Sequence, residues 1–101
     1  MIHHGITFPA DQLATFCRRH HVQRLSLFGS VLRRDFRPDS DVDILIEFAP
    51  EARVGLAFFQ MEEELSKLLG RKVDLNTPGF LSPAFREEVM RHKEVQYDAS
   101  R

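Results

Sequence analysis

One stretch restricts the fold of this chain more than any other. Residues 25–48 read LSLFGSVLRRDFRPDSDVDILIEF, with ten residues between Gly29-Ser30 and Asp41-Val42-Asp43. An apolar, strand-like run lies on each side of that interval. Side chains on a strand alternate between faces, so Val42, Ile44, Ile46 and Phe48 share one face while Asp41 and Asp43 begin the other. The rise per residue separates the Cβ atoms of the two acids by roughly 7 Å. Two carboxylates aimed into one space repel each other unless a cation lies between them. Their hard oxygen donors suit Mg²⁺ or Mn²⁺, ions commonly held by one or two carboxylates together with substrate phosphates. The plainer reading is a pair of solvated strand-end aspartates, and the neighbouring Gly-Ser corner weighs against it.

Gly29-Ser30 follows the strand-like Leu25–Phe28 and precedes Val31-Leu32-Arg33-Arg34, a short helical stretch expected to reach Asp35. A strand–Gly–Ser–helix corner presents free backbone N–H groups, which bind phosphate. Glycine permits close approach of the backbone, and the serine hydroxyl donates to a phosphate or caps the helix. An anion cradle beside a dicarboxylate site has the parts that hold a metal–nucleoside triphosphate.

The length of 101 residues fits one domain, and 43% apolar residues suffice for a core. Net charge is −1, which argues against a broad basic face for nucleic acid but not against a nucleotide. Nine Phe, one Tyr and no Trp predict a phenylalanine-rich core. Cys17 is the lone cysteine, so no internal disulfide forms and no zinc spacing exists, consistent with a reducing cytosol. No apolar run is long enough to span a bilayer, and the N-terminus lacks a signal-peptide core.

Along the chain, Met1–Thr7 is expected to be a tail, with His3 and His4 lacking the further ligands a metal site needs. Ala10, Leu13, Phe16 and Cys17 recur at helical spacing after Pro9, and Cys17 is a small core residue on that stripe. Arg18 to His21 fall where cations complement a helix C-terminus. Val22–Phe28 and Asp41–Phe48 are strands, joined through a turn at Arg37–Ser40 in which Asp39 is also weighed as a minor third metal ligand. Leu56, Phe58, Phe59, Met61, Leu65, Leu68 and Leu69 form a wide apolar stripe on a long helix, and Glu62–Glu64 fall mostly on its solvated side. Gly70 ends that helix, and Arg71–Asn76 is a third strand with Val73 and Leu75 inward and Lys72, Asp74 and Asn76 on the other face. Ser82-Pro83 opens a last helix buried through Phe85, Val89 and Met90, and Val95–Tyr97 is expected to add a short edge strand. Asp74, taken alone, is either an exposed-face acid, a partner for Lys72 or Arg71, or the third member of a carboxylate site. Phe58, Phe80 and Phe85 are read as core or as partner interface.

Gly29-Ser30, ten residues, then Asp41-x-Asp43 resembles the signature of the minimal nucleotidyltransferases, a branch of the DNA polymerase beta superfamily. The resemblance continues through Arg33, Phe36, Arg37-Pro38-Asp39-Ser40, Leu68, Gly70–Leu75 and Leu81-Ser82-Pro83, nearly the whole chain. It implies a single minimal nucleotidyltransferase domain over residues 1–101. The implied fold is α/β (α+β), a small mixed sheet of three to four strands with helices on one face and the acids on the open one. It further implies two Mg²⁺ ions, or Mn²⁺, held by Asp41, Asp43 and Asp74, with Asp74 also accepting the proton of the attacking hydroxyl. Gly29, Ser30 and Arg33 hold the phosphates in this family pattern; a surface pairing of Arg33 with Asp35 or Asp39 is the alternative. Arg34 and Arg37 are surface or partner-contact candidates.

No acceptor-binding domain follows the catalytic pattern in these 101 residues. The resemblance therefore extends to the MntA-type antitoxins, which pair with small helical HEPN-domain ribonuclease toxins and transfer AMP from ATP to a toxin tyrosine. The implied function is such an AMP transfer in the cytoplasm, without direct nucleic-acid or membrane binding. The alternatives are a binding-only antitoxin and, less favoured, a small-molecule nucleotidyltransferase.

Overall fold

A computed structural model describes residues 2–3, 6–33, 37 and 39–100. Short strands β1 (Ile2–His3) and β2 (Ile6–Thr7) pair antiparallel. Helix α1 (Ala10–Arg19) leads to β3 (Val22–Phe28), and a single 3-10 turn at Gly29–Leu32 follows. Then come β4 (Val42–Phe48), α2 (Ala57–Leu69), β5 (Val73–Asn76), a 3-10 turn at Pro78–Phe80, α3 (Pro83–His92) and β6 (Glu94–Asp98). The main sheet has the order β5-β4-β3-β6. Among the described strands of this sheet only the β4–β5 pair is parallel, so the sheet is mixed and has four strands, within the three to four expected.

Alternation along β4 divides the molecule. Val42, Ile44 and Ile46 are fully buried on one face, beneath Leu13, Phe16 and Cys17 of α1 and Met61, Leu65 and Leu69 of α2. Asp43, Leu45 and Glu47 take the other face. Here the expectation of helices on one face needs refinement. α3 lies over part of the acid-bearing face, where Val89 and Leu81 close on Phe28 and Leu45 in a second, smaller core. Two anchors hold this helix. At its start the Arg86 guanidinium donates to the carbonyls of Pro78 (2.7 Å) and Leu81 (3.0 Å). At its end the Lys93 ammonium donates to Glu47 (2.6 Å).

Several local expectations change once the chain is folded. The N-terminal segment is more than a tail, because Ile6 and Phe8 are buried in the main core; residues 1, 4 and 5, including His4, lie outside the described residues. The turn after β3 begins at Gly29 itself and closes with Arg33 N–H donating to Ser30 (2.9 Å), whereas Arg34, Asp35, Phe36 and Pro38 lie outside the described residues. On α3 only Val89 is buried, and Phe85 and Met90 are exposed, since this helix covers the sheet with a narrow strip. Leu56 and Phe59 leave the α2 stripe for solvent.

The acidic run Glu62–Glu64 is also more than a solvated face. β5 is an edge strand, and an edge carries unpaired N–H groups. Glu62 accepts from the Leu75 N–H (2.8 Å), and Ser66 Oγ accepts from the Val73 N–H (3.0 Å), so α2 closes that edge with its own side chains. Glu64 pairs with Arg19 and His20 of the α1 end. Burial, then the charges of Arg19 and His21, lower the pKa of His20 at the end of α1.

Candidate active site

The parallel register of β4 and β5 sets Asp43 beside Asp74, while the antiparallel register of β3 and β4 sets Phe28 beside Asp43. Gly29 follows Phe28 directly, which brings the Gly-Ser corner onto the same acid. Glycine is required there for two independent reasons. Its φ of +73° is one that L side chains rarely adopt, and a Cβ would stand 2.4 Å from Asp43 Oδ2. The Ser30 backbone N–H donates to the Asp43 carboxylate. The amide that the sequence pattern assigns to a phosphate is therefore aimed at the acid that would share that phosphate's cation.

Asp43 is half-buried, and its carboxyl is pushed up to about 6. Burial is the largest cause, followed by the charge of Asp74, a side-chain hydrogen bond with Asp74, and the charge of Asp41; the Ser30 amide acts in the opposite sense. A hydrogen bond between two carboxyls requires a proton on one of them. A divalent cation at that point would replace the proton and satisfy both oxygens, so the donor set fits a hard metal ion. Among the described residues no three or more His, Cys, Asp or Glu side chains are gathered into a ready-made metal cage.

Asp41 sits one residue ahead of β4 and inclines toward Lys72, whose ammonium lies 3.9 Å from Oδ2. The sequence pattern offered Lys72 as a partner for Asp74; its ion pair is with Asp41 instead. Arg71 has another task. Its guanidinium donates to the carbonyls of Ser40 (2.8 Å) and Arg37 (3.3 Å), tying the turn before Asp41 to the segment before Asp74. The Val42 N–H donates to the Lys72 carbonyl (2.8 Å) and completes this brace. Asp39 is exposed on the turn. Residue patterning missed the contributions of Arg71, Glu62 and Ser66, which act across strand and helix boundaries and carry no local periodic signal.

Arg33 lies at the end of the 3-10 turn and lines a cleft of about 520 Å³ together with Gly29, Leu32, Phe85 and Glu88. Cys17, set aside as a core residue, is fully buried and its thiol is pushed up to about 12 by that burial. No described helix is long and apolar enough to cross a membrane.

Comparison with known proteins gives a consistent neighbourhood. The model of the nucleotidyltransferase domain matches residues 10–95. Over 79 residues the chain is 40% identical to the protein adenylyltransferase MntA of Thermococcus cleftensis, covering 78% of this chain and 77% of that protein. A solved structure described as a proposed minimal nucleotidyltransferase superposes with a TM-score of 0.68 at 35% identity, covering 85% of each chain. A complex of tri-AMPylated Shewanella oneidensis HEPN toxin with MNT antitoxin gives a TM-score of 0.63 at 20% identity, covering 90% of this chain and 71% of that one. At that identity the likeness concerns the fold.

Proposed function

Because this chain belongs to the nucleotidyltransferase domain family and is a homologue of protein adenylyltransferases, we propose that it transfers AMP from ATP to a tyrosine hydroxyl of a HEPN-domain toxin and thereby acts as its antitoxin. In this reading residues 1–101 form a single minimal nucleotidyltransferase domain working in the cytoplasm, where ATP is available. The observation that carries the proposal is the meeting of Asp43, Asp74 and the Gly29-Ser30 corner at the β3–β4–β5 end of the sheet.

Each residue has a task in the transfer. Gly29 lets the backbone come close enough for the triphosphate to lie against it, and the Ser30 hydroxyl and nearby N–H groups hold the β and γ phosphates. Arg33 adds positive charge on the same side. Asp41, Asp43 and Asp74 would hold Mg²⁺ or Mn²⁺, which when bound stabilises charge on the triphosphate and lowers the pKa of the acceptor hydroxyl. Asp74, the more exposed of the β4–β5 acid pair, faces the side from which a protein hydroxyl arrives, and it takes the hydroxyl proton. The acceptor oxygen bonds to the α phosphorus, the bond from that phosphorus to the bridging oxygen breaks, and pyrophosphate leaves.

The test is the intact mass of the toxin co-expressed with this chain. Wild type should add about 329 Da per AMP, arithmetic from the transferred group, and Asp41→Asn/Asp43→Asn should add none. An unmodified toxin held in an inactive complex by wild type would replace transfer with masking by contact. Leu56, Phe59 and Phe80 are exposed, and either reading requires a surface on which a protein partner docks.

A further inference from the structure

We propose that Glu62 and Ser66 of α2 are positioning residues for Asp74, holding the short strand β5 so that this acid keeps its place beside Asp43. The inference rests on the reading that Asp74 takes the proton of the acceptor hydroxyl. The two acids stand on unequal supports. Asp43 belongs to β4, which has a strand on each side, whereas Asp74 belongs to a four-residue strand flanked in the sheet by β4 alone. An edge strand with open amides fluctuates more than a central one and invites foreign pairing. A displacement of about 1 Å in a reacting group costs up to about 100-fold in rate.

The amides on either side of Asp74 are both held from α2. The Val73 N–H donates to Ser66 Oγ (3.0 Å), and the Leu75 N–H donates to Glu62 Oε2 (2.8 Å). The second contact is charge-assisted, the stronger kind. Glu62 and Ser66 lie one helical turn apart on one face of α2, and Ser66 Oγ also donates to the Glu62 carbonyl (2.9 Å). The same turn buries Met61 and Leu65 in the main core, so both acceptors are carried by a firmly packed part of the helix. The Gly29-Ser30 corner is built instead on the β3–β4 pairing. Loosening β5 therefore moves Asp74 and leaves the place assigned to the triphosphate intact, which separates turnover from ATP binding.

Steady-state AMP transfer by the full chain to its HEPN-domain toxin, with Mg–ATP varied and rates normalised to folded protein, tests this. Glu62→Ala should lower kcat about tenfold and change the KM for ATP less than about twofold. Its Leu75 amide should exchange with solvent at least about tenfold faster. Glu62→Gln keeps an oxygen acceptor in place and should restore kcat to within about threefold of wild type. Ser66→Ala should lower kcat about threefold with KM unchanged. Glu63→Gln, which removes an exposed charge one residue away, should match wild type. Wild-type kcat in Glu62→Ala, a loss confined to KM, or no rescue by Glu62→Gln would overturn the positioning role while leaving AMP transfer standing. Should Glu62→Ala fail to fold, Ser66→Ala decides, and an unchanged kcat in that variant overturns the role. Absence of AMP transfer by wild type would overturn the underlying reading along with it.

Discussion

Strand β4 carries Asp43 and Glu47 on one face, four residues apart, in opposite electrostatic settings. Glu47 receives a charge-assisted hydrogen bond from Arg24 and another from Lys93, each at 2.6 Å. Asp98 accepts from the same Arg24 (3.2 Å), so β3, β4, β6 and the end of α3 are laced together at that end of the sheet. At the other end burial first, and then the carboxylates of Asp74 and Asp41, raise the Asp43 pKa. Each acid is only partly exposed, so each needs its charge compensated. The fold compensates Glu47 internally. For Asp43 the Ser30 backbone amide is the one group among those acting on it that lowers its pKa. The difference separates an acid neutralised within the fold from one that is not more sharply than burial or strand position does.

The comparison can be broken most decisively at Asp43. We predict that Asp43→Asn lowers AMP transfer from Mg–ATP about 10³-fold, the upper range for removing one preorganised electrostatic group, while the variant melts no lower than wild type. A large fall in melting temperature would show that Asp43, like Glu47, holds the fold together. Gly29→Ala comes next. Its methyl would meet Asp43 and its φ would be strained, so activity should fall about 100-fold through misplacement of the acid. Stability should fall by about 1–2 kcal/mol, read by urea unfolding.

The Glu47 end should answer in stability alone. Lys93→Met removes a largely buried charge-assisted donor and should cost about 2 kcal/mol. The rate with saturating ATP should remain near wild type if α3 stays in place. The two ends should also differ in pH dependence. In metal-free protein the folded Asp43 carboxyl titrates near 6 against an ordinary 3.8. The native state therefore binds the extra proton. The stability linked to this group is fully present below about pH 4, falls as pH rises toward 6, and is constant above that. Urea unfolding from pH 4 to 7 should show that slope in wild type, reduced in Asp43→Asn; an unchanged slope would remove Asp43 as its source. The smallest effect is expected at Lys72→Met. Its pair with Asp41 is long and solvent-exposed, so a change of about 0.5 kcal/mol or less is predicted. A larger loss would mean that the acid end does carry its own structural cation.

Local chemistry made much of this molecule legible. The alternation from Val42 to Phe48 assigned the faces of β4, and Val22–Phe28 is the strand expected. Gly70 ends α2 in the left-handed conformation that glycine adopts without penalty, and Pro83 opens α3. These features depend on neighbours within a few residues, and such preferences are written directly into sequence. The spacing of Gly29-Ser30 and Asp41-x-Asp43 belongs to the same class, because two adjacent strands and their connection determine it.

Contacts between distant segments decided the rest. Asp74 became a neighbour of Asp43 only through the parallel pairing of β5, and Arg71 became a brace only because that pairing brought it to the Ser40 turn. Glu62 looks like a surface acid in any helical pattern, yet the open edge of β5 lies beside it and takes its oxygen. Phe85 has the composition of a core residue and stands exposed at a cleft, because α3 meets the sheet mainly through Val89. Sequence alone determined which residues face which way along β3 and β4 and where the helices begin and end, since φ and ψ preferences act locally. Tertiary structure decided which faces meet, and with it which acids were neutralised by cations of the fold and which were set beside other acids.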